Sequence, residues 1–402
     1  MGLNDEKSNN KMVDEKSKND DKIRSEKEIE KELESRIAKS SSDKKTKKKL
    51  SVKRLAILIL LVLLVLSPIV GLGIAHLKSN KSDKPREKVE KKEKQEEKEE
   101  PVIEEPKLKI VDENSSSRPF AVMINNHPTA RPLQSGLQDA YIIYEIIVEG
   151  GMTRYMAVFL DQSTERIGSI RSSRHYFLDY VLENDAIYVH HGQSPQAQSD
   201  FGALGIDRVV ADNGKTGWRD KSLGVAYEHT LFTNIEKIKN GVGNKRSSRN
   251  KDLLLKYSID PINLSAIEGS QVANEISVNY SNSVTSSYKY DENEKVYKRS
   301  VNGKEHIDYV TKKQYTFKNI ITYQVSNYTL NDPENKGRQG LNNIGSGTGY
   351  FISEGYAVPI NRSKSSRGAQ TKYTLKDGTE LVVNAGNTFI QIQPKGRSLS
   401  IS

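Results

Sequence analysis

The sequence predicts a mixed α/β domain followed by a small all-β domain, sandwich-like or barrel-like, behind a single N-terminal transmembrane helix. Three observations predict this order. Residues 55–77 form a long apolar run without a charged side chain. Residues 118–260 combine strand patterns with capped helix starts, and residues 261–397 contain short β-rich segments separated by turns.

The apolar run at 55–77 is long enough, at ~1.5 Å per residue, to cross a hydrocarbon core of ~30 Å as a helix. The preceding segment, 39–54, is rich in Lys and Arg and has Asp43 as its only acid. The positive-inside rule leaves that side in the cytoplasm, so we expect a single-pass cell-membrane protein with an extracytoplasmic bulk. A signal peptide cleaved after Ala75 is the alternative.

Two charged segments flank the predicted span. Residues 1–54 have scarcely an apolar side chain and should form a disordered cytoplasmic tail, whereas 78–117 reads as a charged linker. The chain has 62 Lys and Arg against 52 Asp and Glu, a formal charge of +10, and much of the excess lies in the tail. The partner expected from this pattern is the lipid bilayer and not nucleic acid.

The chain contains no cysteine. It therefore has no thiol for a lipid anchor and no pair of thiols for a disulfide, and the exported part must be held together by core burial alone.

The first domain shows a series of strand patterns, with Gly150-Gly151 as a strong hairpin signal between the second and the third. A helix from Ser172 or Ser173 to about Leu182 precedes the last of them. Strand, helix and strand predict a right-handed crossover between a parallel pair. The predicted strands are 120–125, 140–149, 152–160, 166–170 and 186–191.

Two further helix starts are marked. Ser194 is a good N-cap before Pro195, and a helix should run from there toward residue 204. A capping box from Thr233 to Glu236 opens a second helix that should end near Gly241. Beyond residue 260, short alternating segments with Asn-Gly and Asp-Gly turns indicate a compact antiparallel sandwich or barrel.

The hairpin gives the first candidate site. If Gly150-Gly151 forms the turn, Glu149 pairs with Met152, and Glu145, Glu149 and Arg154 share one face. The two acids would then stand ~13 Å apart along one strand, too far to form an acid/base pair with each other. A cross-strand salt-bridge network without function is the alternative.

The second candidate site lies at strand ends. Arg171 and Arg174 follow one predicted strand, His190 and His191 end the next, and Ser194 caps the following helix. The carboxyl ends of parallel strands meet at one edge of a sheet, where guanidinium, imidazole and helix N-terminal donors suit a carboxylate, a phosphate or a sugar acid. Successive side chains along a strand point to opposite faces, so one of the two histidines should face away from the site. His191 is the better candidate for the histidine that faces the ligand. A capped helix beside one core and one surface histidine is the alternative.

Other chemistries are weakly marked. No histidine pair has the helical spacing of a zinc site, and no nucleophile elbow occurs. The glycine-rich run 345–349 lacks a P-loop lysine and is interpreted as the approach to a hairpin. We therefore expect neither a metal nor a cofactor.

Two long stretches resemble a known family. The runs RPFAVMINNHPTARPLQSGLQDAYIIYEIIVEGGMTRYMAVF and GSIRSSRHYFLDYVLENDAIYVHHGQSPQA, with GTGYFISEGYAVPINRSKSSRGAQTKYTLKDGTELVVNAGNTFIQIQP near the C-terminus, are similar to the domain of unknown function 3048 family, the YerB-like exported lipoproteins of Gram-positive bacteria. The resemblance implies a two-domain envelope-facing protein and no established reaction. Here a membrane helix replaces the lipobox cysteine. Residues shared with the family motif include Glu145, Glu149, Gly150, Gly151, Arg154, Arg171, Arg174, His191 and Ser194.

The leading functional hypothesis is a cell-surface binding or regulatory module for an anionic envelope ligand, such as peptidoglycan or a wall polymer. Arg154, Arg171, Arg174, His190 and Ser194 are its candidate ligand-binding residues. The alternative is a hydrolase or transferase acting on the same polymers, with Glu145 or Glu149 as general acid or base, Arg154 orienting it and His191 as partner. A further alternative is a scaffold for envelope enzymes.

Overall fold

The computed structural model of the chain describes residues 110–402. The predicted tail at 1–54, the predicted transmembrane helix at 55–77 and most of the predicted linker at 78–117 lie outside the described residues. Within residues 110–402, no helix combines the length and the apolar character that a bilayer span requires.

The described part of the chain is mostly β-structure with a few short helices. Its first half contains strands β1 (Phe120–Asn125), β2 (Ile142–Ile147), β3 (Thr153–Phe159), β4 (Ile167–Gly168), β5 (Ile187–His190), β6 (Arg208–Val210), β7 (Trp218–Arg219), β8 (Leu231–Thr233) and β9 (Lys256–Ser258). Its α-helices are α1 (Leu178–Glu183), α2 (Pro195–Ala203) and α3 (Ile235–Val242). Its second half contains β10 (Gln271–Val272), β11 (Glu275–Asn279), β12 (Thr285–Asp291), β13 (Val296–Val301), β14 (Lys304–Glu305), β15 (Thr316–Phe317), β16 (Asn319–Val325), β17 (Asn327–Thr329), β18 (Gln339–Leu341), β19 (Gly345–Ser353), β20 (Tyr356–Lys364), β21 (Lys372–Leu375), β22 (Val382–Asn384), β23 (Thr388–Pro394) and β24 (Leu399–Ile401).

An 11-stranded mixed sheet forms the centre of the structure, in the order β10-β20-β19-β16-β23-β2-β3-β1-β5-β6, with β21 against β20. Strands β1, β5 and β6 are parallel, and β2, β16 and β23 are parallel to one another. Because β3 is antiparallel to both β1 and β2, all six strands run in one direction. We call the edge at which these six strands end the carboxyl edge.

The main sheet is covered on both faces, which explains why β2 is buried at every position. On one face Tyr144 and Ile146 pack in a core with Phe177 and Phe201, which come from the α1 and α2 region. On the other face the alternate side chains of β2 pack against a second, antiparallel sheet with the order β14-β13-β12-β11-β24 and β15 beside β13.

The hairpin at Gly150 and Gly151 is confirmed, but its predicted register is wrong by one residue. Ile146 pairs with Arg154 and Glu145 pairs with Tyr155. The cause is a three-residue 3-10 loop, Glu149–Gly151, in which both glycines adopt positive φ and the amide of Val148 donates to the carbonyl of Met152 at 2.7 Å. A slip of one residue exchanges the faces of a strand, so Arg154 and Glu145 lie on opposite faces of the sheet.

The predicted parallel pair of 166–170 with 186–191 is also wrong. Both strands exist, as β4 and β5, but β4 is antiparallel to β8 in a small sheet with β7, and β5 is parallel to β1. Strand β4 has two residues and can form few interstrand hydrogen bonds, whereas β1 is a longer apolar strand that can pair on both sides. The predicted helix between them consists of a 3-10 turn at His175–Phe177 followed by α1.

Both later helices form close to their predicted positions. Ser194 caps α2 by accepting a hydrogen bond from the amide of Ala197 at 3.2 Å. Asn234 caps α3 through the amide of Lys237 at 2.7 Å, so the predicted capping box at Thr233 is wrong. Thr233 belongs to β8 and donates its hydroxyl hydrogen to the carbonyl of Thr216 instead.

The C-terminal β-segments divide between the two sheets instead of forming one antiparallel sandwich of their own. Strands β11 to β15 and β24 build the antiparallel sheet, whereas β16, β19, β20 and β23 join the main sheet. Strand β23 lies between β2 and β16 and is parallel to both. The main sheet thus contains strands from both sides of residue 260, and the predicted division into 118–260 and 261–397 stays a prediction.

Candidate functional site

The segment that follows β4 carries two arginines across the carboxyl edge between β1 and β5. The amide of Arg171 donates to the carbonyl of Met123 in β1 at 3.0 Å, and the carbonyl of Arg171 accepts from the amide of His191 at 3.1 Å. Two residues later, the amide of Ser173 donates to the carbonyl of Gly192 at 3.0 Å. These backbone bonds fix the segment that carries Arg171 and Arg174 beside the ends of β1 and β5.

Glu149 in the hairpin loop holds Arg174. The guanidinium of Arg174 donates to both carboxylate oxygens, through Nε to Oε1 and through Nη2 to Oε2 at 3.0 Å. Burial alone would raise the pKa of Glu149, but the hydrogen bond and charge of Arg174, with the charge of Arg154, lower it below its usual value. Glu149 is therefore ionised at neutral pH and bound on both oxygens.

Arg154 lies deeper behind this pair. Its Nη1 donates to the carbonyl of Ser172 at 2.5 Å, and its Nη2 is 3.8 Å from Glu149 Oε2. Burial, together with repulsion from Arg174, lowers the pKa of Arg154 to about 9. One carboxylate thus serves two arginines, and the local charge is positive.

Arg171 has few protein partners. It is half-buried, and within residues 110–402 its guanidinium makes one long hydrogen bond, from Nη1 to the carbonyl of Glu228 at 3.4 Å. Burial lowers its pKa, and Arg174 and Arg219 lower it further by repulsion, whereas the carboxylates of Glu228 and Glu149 raise it. An arginine with unused donors among other cations is suited to bind an anion, because the anion would both accept hydrogen bonds and relieve repulsion.

Sequence reasoning missed three members of this neighbourhood. Arg219 donates through Nη2 to His191 Nε2 at 3.2 Å, while His191 Nδ1 donates to the carbonyl of Ala211 at 2.6 Å. His229 accepts a hydrogen bond at Nδ1 from the side-chain amide of Asn125 and stacks on His127, with ring centroids 5.0 Å apart. Burial and the charges of Arg171 and His127 lower the pKa of His229.

Only one signal could have located these residues. His127 lies two residues after β1 and so belongs to the carboxyl edge by position alone. Arg219 ends β7, and His229 lies in the 3-10 turn before β8, so their approach depends on the antiparallel pairing of β7 with β8, which no local pattern indicates.

We call Arg154, Arg171, Arg174, Arg219 and His191 the cationic edge.

Glu145 does not belong to this site. It is fully buried on the opposite face of the main sheet, where its Oε2 accepts hydrogen bonds from Arg299 Nη2 at 2.8 Å and from the hydroxyl of Ser286 at 2.8 Å. Its Oε1 accepts from the hydroxyl of Thr153 at 2.7 Å. The predicted ionic cluster of Glu145, Glu149 and Arg154 on one face is therefore wrong, because the register of the hairpin sends Glu145 into the core.

His190 and Ser194 likewise have structural positions. His190 is fully buried, stacks on Tyr188 and Phe201, and donates from Nδ1 to the carbonyl of Gly192 at 2.8 Å. Burial lowers its pKa to about 4. Ser194 is buried with its hydroxyl oxygen bound to the helix amide, so neither side chain faces a solvent-accessible ligand.

The protein is thus a mostly β protein in which a mixed sheet carries an antiparallel sheet on one face and arginines at its carboxyl edge. Models of the "Protein of unknown function (DUF3048)" N-terminal and C-terminal domains match residues 107–248 and 276–390. The chain belongs to this DUF3048 family.

One relative extends the comparison, both in sequence and as a crystal structure. The chain is 33% identical over 304 residues to the Bacillus subtilis (strain 168) protein described as "Putative lipoprotein YerB", covering 73% of this chain and 87% of that protein. The crystal structure of YerB protein from Bacillus subtilis aligns with a TM-score of 0.60 at 29% identity, over 71% of this chain and 94% of that chain.

Proposed function

We propose that this chain is a membrane-anchored binding module that recognises phosphate or carboxylate groups of a cell-envelope polymer at the cationic edge. The observation that carries the proposal is Arg171, a half-buried guanidinium with one long hydrogen bond among Arg174 and Arg219. Glu149 neutralises part of this charge, and Glu228 is the other carboxylate beside Arg171. An anionic ligand would accept hydrogen bonds from the remaining donors of Arg171.

The placement at the membrane rests on two supports. The uncharged run at 55–77, with its basic cytoplasmic flank, would anchor the chain once across the membrane with residues 110–402 outside. The related YerB protein is described as a "Putative lipoprotein", and a lipid anchor would be a different route to the same membrane surface. Both anchors would place a sheet of this kind close to envelope polymers.

Titration calorimetry with residues 101–402, in which the described residues 110–402 form one compact unit, tests the proposal. Poly(glycerol phosphate) and a polyuronate represent the two anionic groups, and dextran is the uncharged control. We expect binding of an anionic polymer that weakens as ionic strength rises. Replacing Arg171 by Gln should weaken it roughly ten- to hundredfold, since a hydrogen bond to a charged group contributes about 1.5–3 kcal/mol.

Lys372→Gln is the matched control, because it removes one exposed positive charge on β21, which lies against β20 and not beside β1 or β5. Equal losses for Arg171→Gln and Lys372→Gln would mean that attraction is non-specific and would overturn the proposal. So would the absence of binding to every anionic polymer at low ionic strength.

The hydrolase or transferase alternative gains no support from the geometry of its glutamates. Glu145 is fully buried against Arg299, and both oxygens of Glu149 are bound by Arg174. A general acid needs a proton at neutral pH, and the lowered pKa of Glu149 removes it.

A further inference from the structure

A cleft of about 630 Å³ opens on the C-terminal part of the main sheet, within the range of roughly 300 to 1000 Å³ that is typical of ligand pockets. It lies where β16 and β19 separate. These strands pair from Asn319 and Ser353 as far as Tyr323 and Gly349, and beyond that point β19 pairs with β20 alone. The fork leaves a gap with a strand on each side.

Gly347 leaves the space over Arg362 free. It lines the cleft, and a Cβ on Gly347 would stand 3.5 Å from Arg362 Nε. The backbone of Gly347 does not have a positive φ, so glycine is not required there by conformation. Gly349 has a different role, because a Cβ there would stand 2.1 Å from the carbonyl oxygen of Thr322 in β16.

The lining is polar, positive and without a carboxylate. Arg362 is buried, donates through Nη1 to the carbonyls of Asn343 at 2.7 Å and Gly345 at 3.3 Å, and has no hydrogen-bond partner for its Nε within residues 110–402. The hydroxyl of Thr322 is buried in the same cleft and is also without a partner there. Lys395 is exposed on the lining, and none of the lining residues is Asp or Glu.

Aromatic and amide groups complete the wall. Tyr350 is partly exposed on β19, and the exposed side chains of Asn342, Ser346 and Thr348 supply an amide and two hydroxyls. Aromatic rings pack against the C–H faces of sugars, while amides, hydroxyls and a guanidinium match sugar hydroxyls and an acidic substituent.

We propose that this cleft binds the sugar units of a glycan chain that carries a carboxylate, with Arg362 and Lys395 receiving the charge. A peptide strand would need a long row of free main-chain groups. The open edge of β16 is too short, since it consists of Gln324, Val325 and Ser326, and the carbonyl of Ser326 already accepts from the amide of Asn342. The site is separate from the cationic edge and does not rest on it.

Titration of residues 101–402 with N-acetylglucosaminyl-N-acetylmuramic acid, which carries one carboxylate, tests the proposal. N,N′-diacetylchitobiose, which is uncharged, and a free acidic tetrapeptide are the comparison ligands. We expect the acidic disaccharide to bind best. Gly347→Val should fill the space over Arg362 and weaken binding at least about tenfold, which corresponds to ~1.4 kcal/mol.

Two controls separate blockage from misfolding. Gly214→Val adds the same side chain where a Cβ meets nothing within 4 Å, and it should leave binding unchanged. Lys395→Gln should weaken the acidic disaccharide but not chitobiose, whereas Lys372→Gln on β21 should affect neither. The loss of affinity caused by Gly347→Val should persist in an Arg171→Gln background, which distinguishes this cleft from the cationic edge.

Three results would overturn the proposal. They are the absence of binding by the folded protein at millimolar disaccharide, equal binding by wild-type protein and Gly347→Val, and preferential binding of the peptide. Each is read against an unchanged circular dichroism spectrum and thermal unfolding of the variant.

Discussion

Glu145 and Arg299 form a fully buried ion pair that joins the main sheet to the antiparallel sheet. Each residue occupies a strand position whose neighbours on the same face belong to the hydrophobic core, Ile143 and Ile147 in β2 and Tyr297 and Val301 in β13. The side chain of Arg299 is satisfied on all sides, by Tyr288, His306, Ser286 and Glu145. A charge at an apolar-face position of a strand therefore signals a buried partner on another strand.

Removal of either partner should destabilise the protein strongly. Glu145→Gln leaves the buried charge of Arg299 uncompensated, and Arg299→Met does the same to Glu145. We expect each to lower the free energy of unfolding by about 3 to 5 kcal/mol, as measured by urea denaturation of residues 101–402. The double variant should be more stable than the sum of the two losses predicts. Strict additivity would contradict a coupled pair.

Glu149 distinguishes binding from catalysis. Glu149→Gln removes the carboxylate that serves Arg154 and Arg174 and leaves the cationic edge more positive. We expect anionic polymers to bind roughly two- to fivefold more tightly at low salt. A hydrolase that uses Glu149 would instead lose turnover of muropeptides. Loss of anion affinity in a folded variant would show that the carboxylate is part of the ligand site.

At the scale of elements, the connections after β1, β4 and β5 decide what reaches the carboxyl edge. The loop after β5 ends at the N-cap of α2, and the same loop accepts the backbone of the segment that carries Arg171 and Arg174. The N-terminus of α2 and the segment that carries Arg171 and Arg174 are therefore held in place by the same backbone hydrogen bonds.

The cap of α2 gives a test of the role of Ser194. Ser194→Ala removes the acceptor for the amide of Ala197 and should lower the free energy of unfolding by about 1 kcal/mol, whereas Ser194→Asp should retain the cap. Chemical denaturation measures the stability. Affinity for anionic polymers should stay the same in both variants, and a selective loss of affinity in Ser194→Ala would make Ser194 a ligand-binding residue after all.

At the scale of the whole molecule, buried histidines couple stability to pH. Burial lowers the pKa of His190 to about 4 and that of His306 well below its usual value, so both are neutral in the folded state. In the unfolded chain a histidine titrates near ~6.5. The contribution of these neutral histidines to the free energy of unfolding is therefore fully present above that pH. As the pH falls below it, only the unfolded state takes up protons, so the free energy of unfolding decreases.

We expect the free energy of unfolding to fall as the pH is lowered from about 6.5 to 4, with a slope of up to ~1.4 kcal/mol per pH unit for each buried histidine. Urea denaturation across this range measures it. His190→Phe retains an aromatic ring between Tyr188 and Phe201 and should reduce the slope. The same slope in wild type and variant would mean that His190 does not contribute.

Local patterns predicted much of the fold. The alternation and length of apolar runs located β1, β2, β3 and β5 to within a few residues, and Ser194 with Pro195 located α2. These features depend on contacts between residues close in sequence, so they are encoded locally. Strand partners were predicted less well, since an apolar strand can pair with any other.

The candidate site was predicted in part for the same reason. His191 lies at the carboxyl edge because it directly follows β5, whereas Arg171 and Arg174 lie there because their segment is hydrogen-bonded to β1 and to the loop after β5. Glu145 was assigned to the wrong face because a three-residue loop, and not a two-residue turn, sets the hairpin register. Arg219 was missed because it ends β7, whose position depends on pairing with β8.

The sequence alone determined the β-rich character of residues 110–402, the hairpin, the helix starts and the family. The tertiary structure decided that β23 joins β2 to β16, that Glu145 is buried against Arg299, and that Glu149 instead serves Arg154 and Arg174. The physical reason is the period of two along a strand. A shift of one residue in a loop moves every side chain of the following strand to the other face of the sheet. Only the packing of both faces of the sheet selects the register.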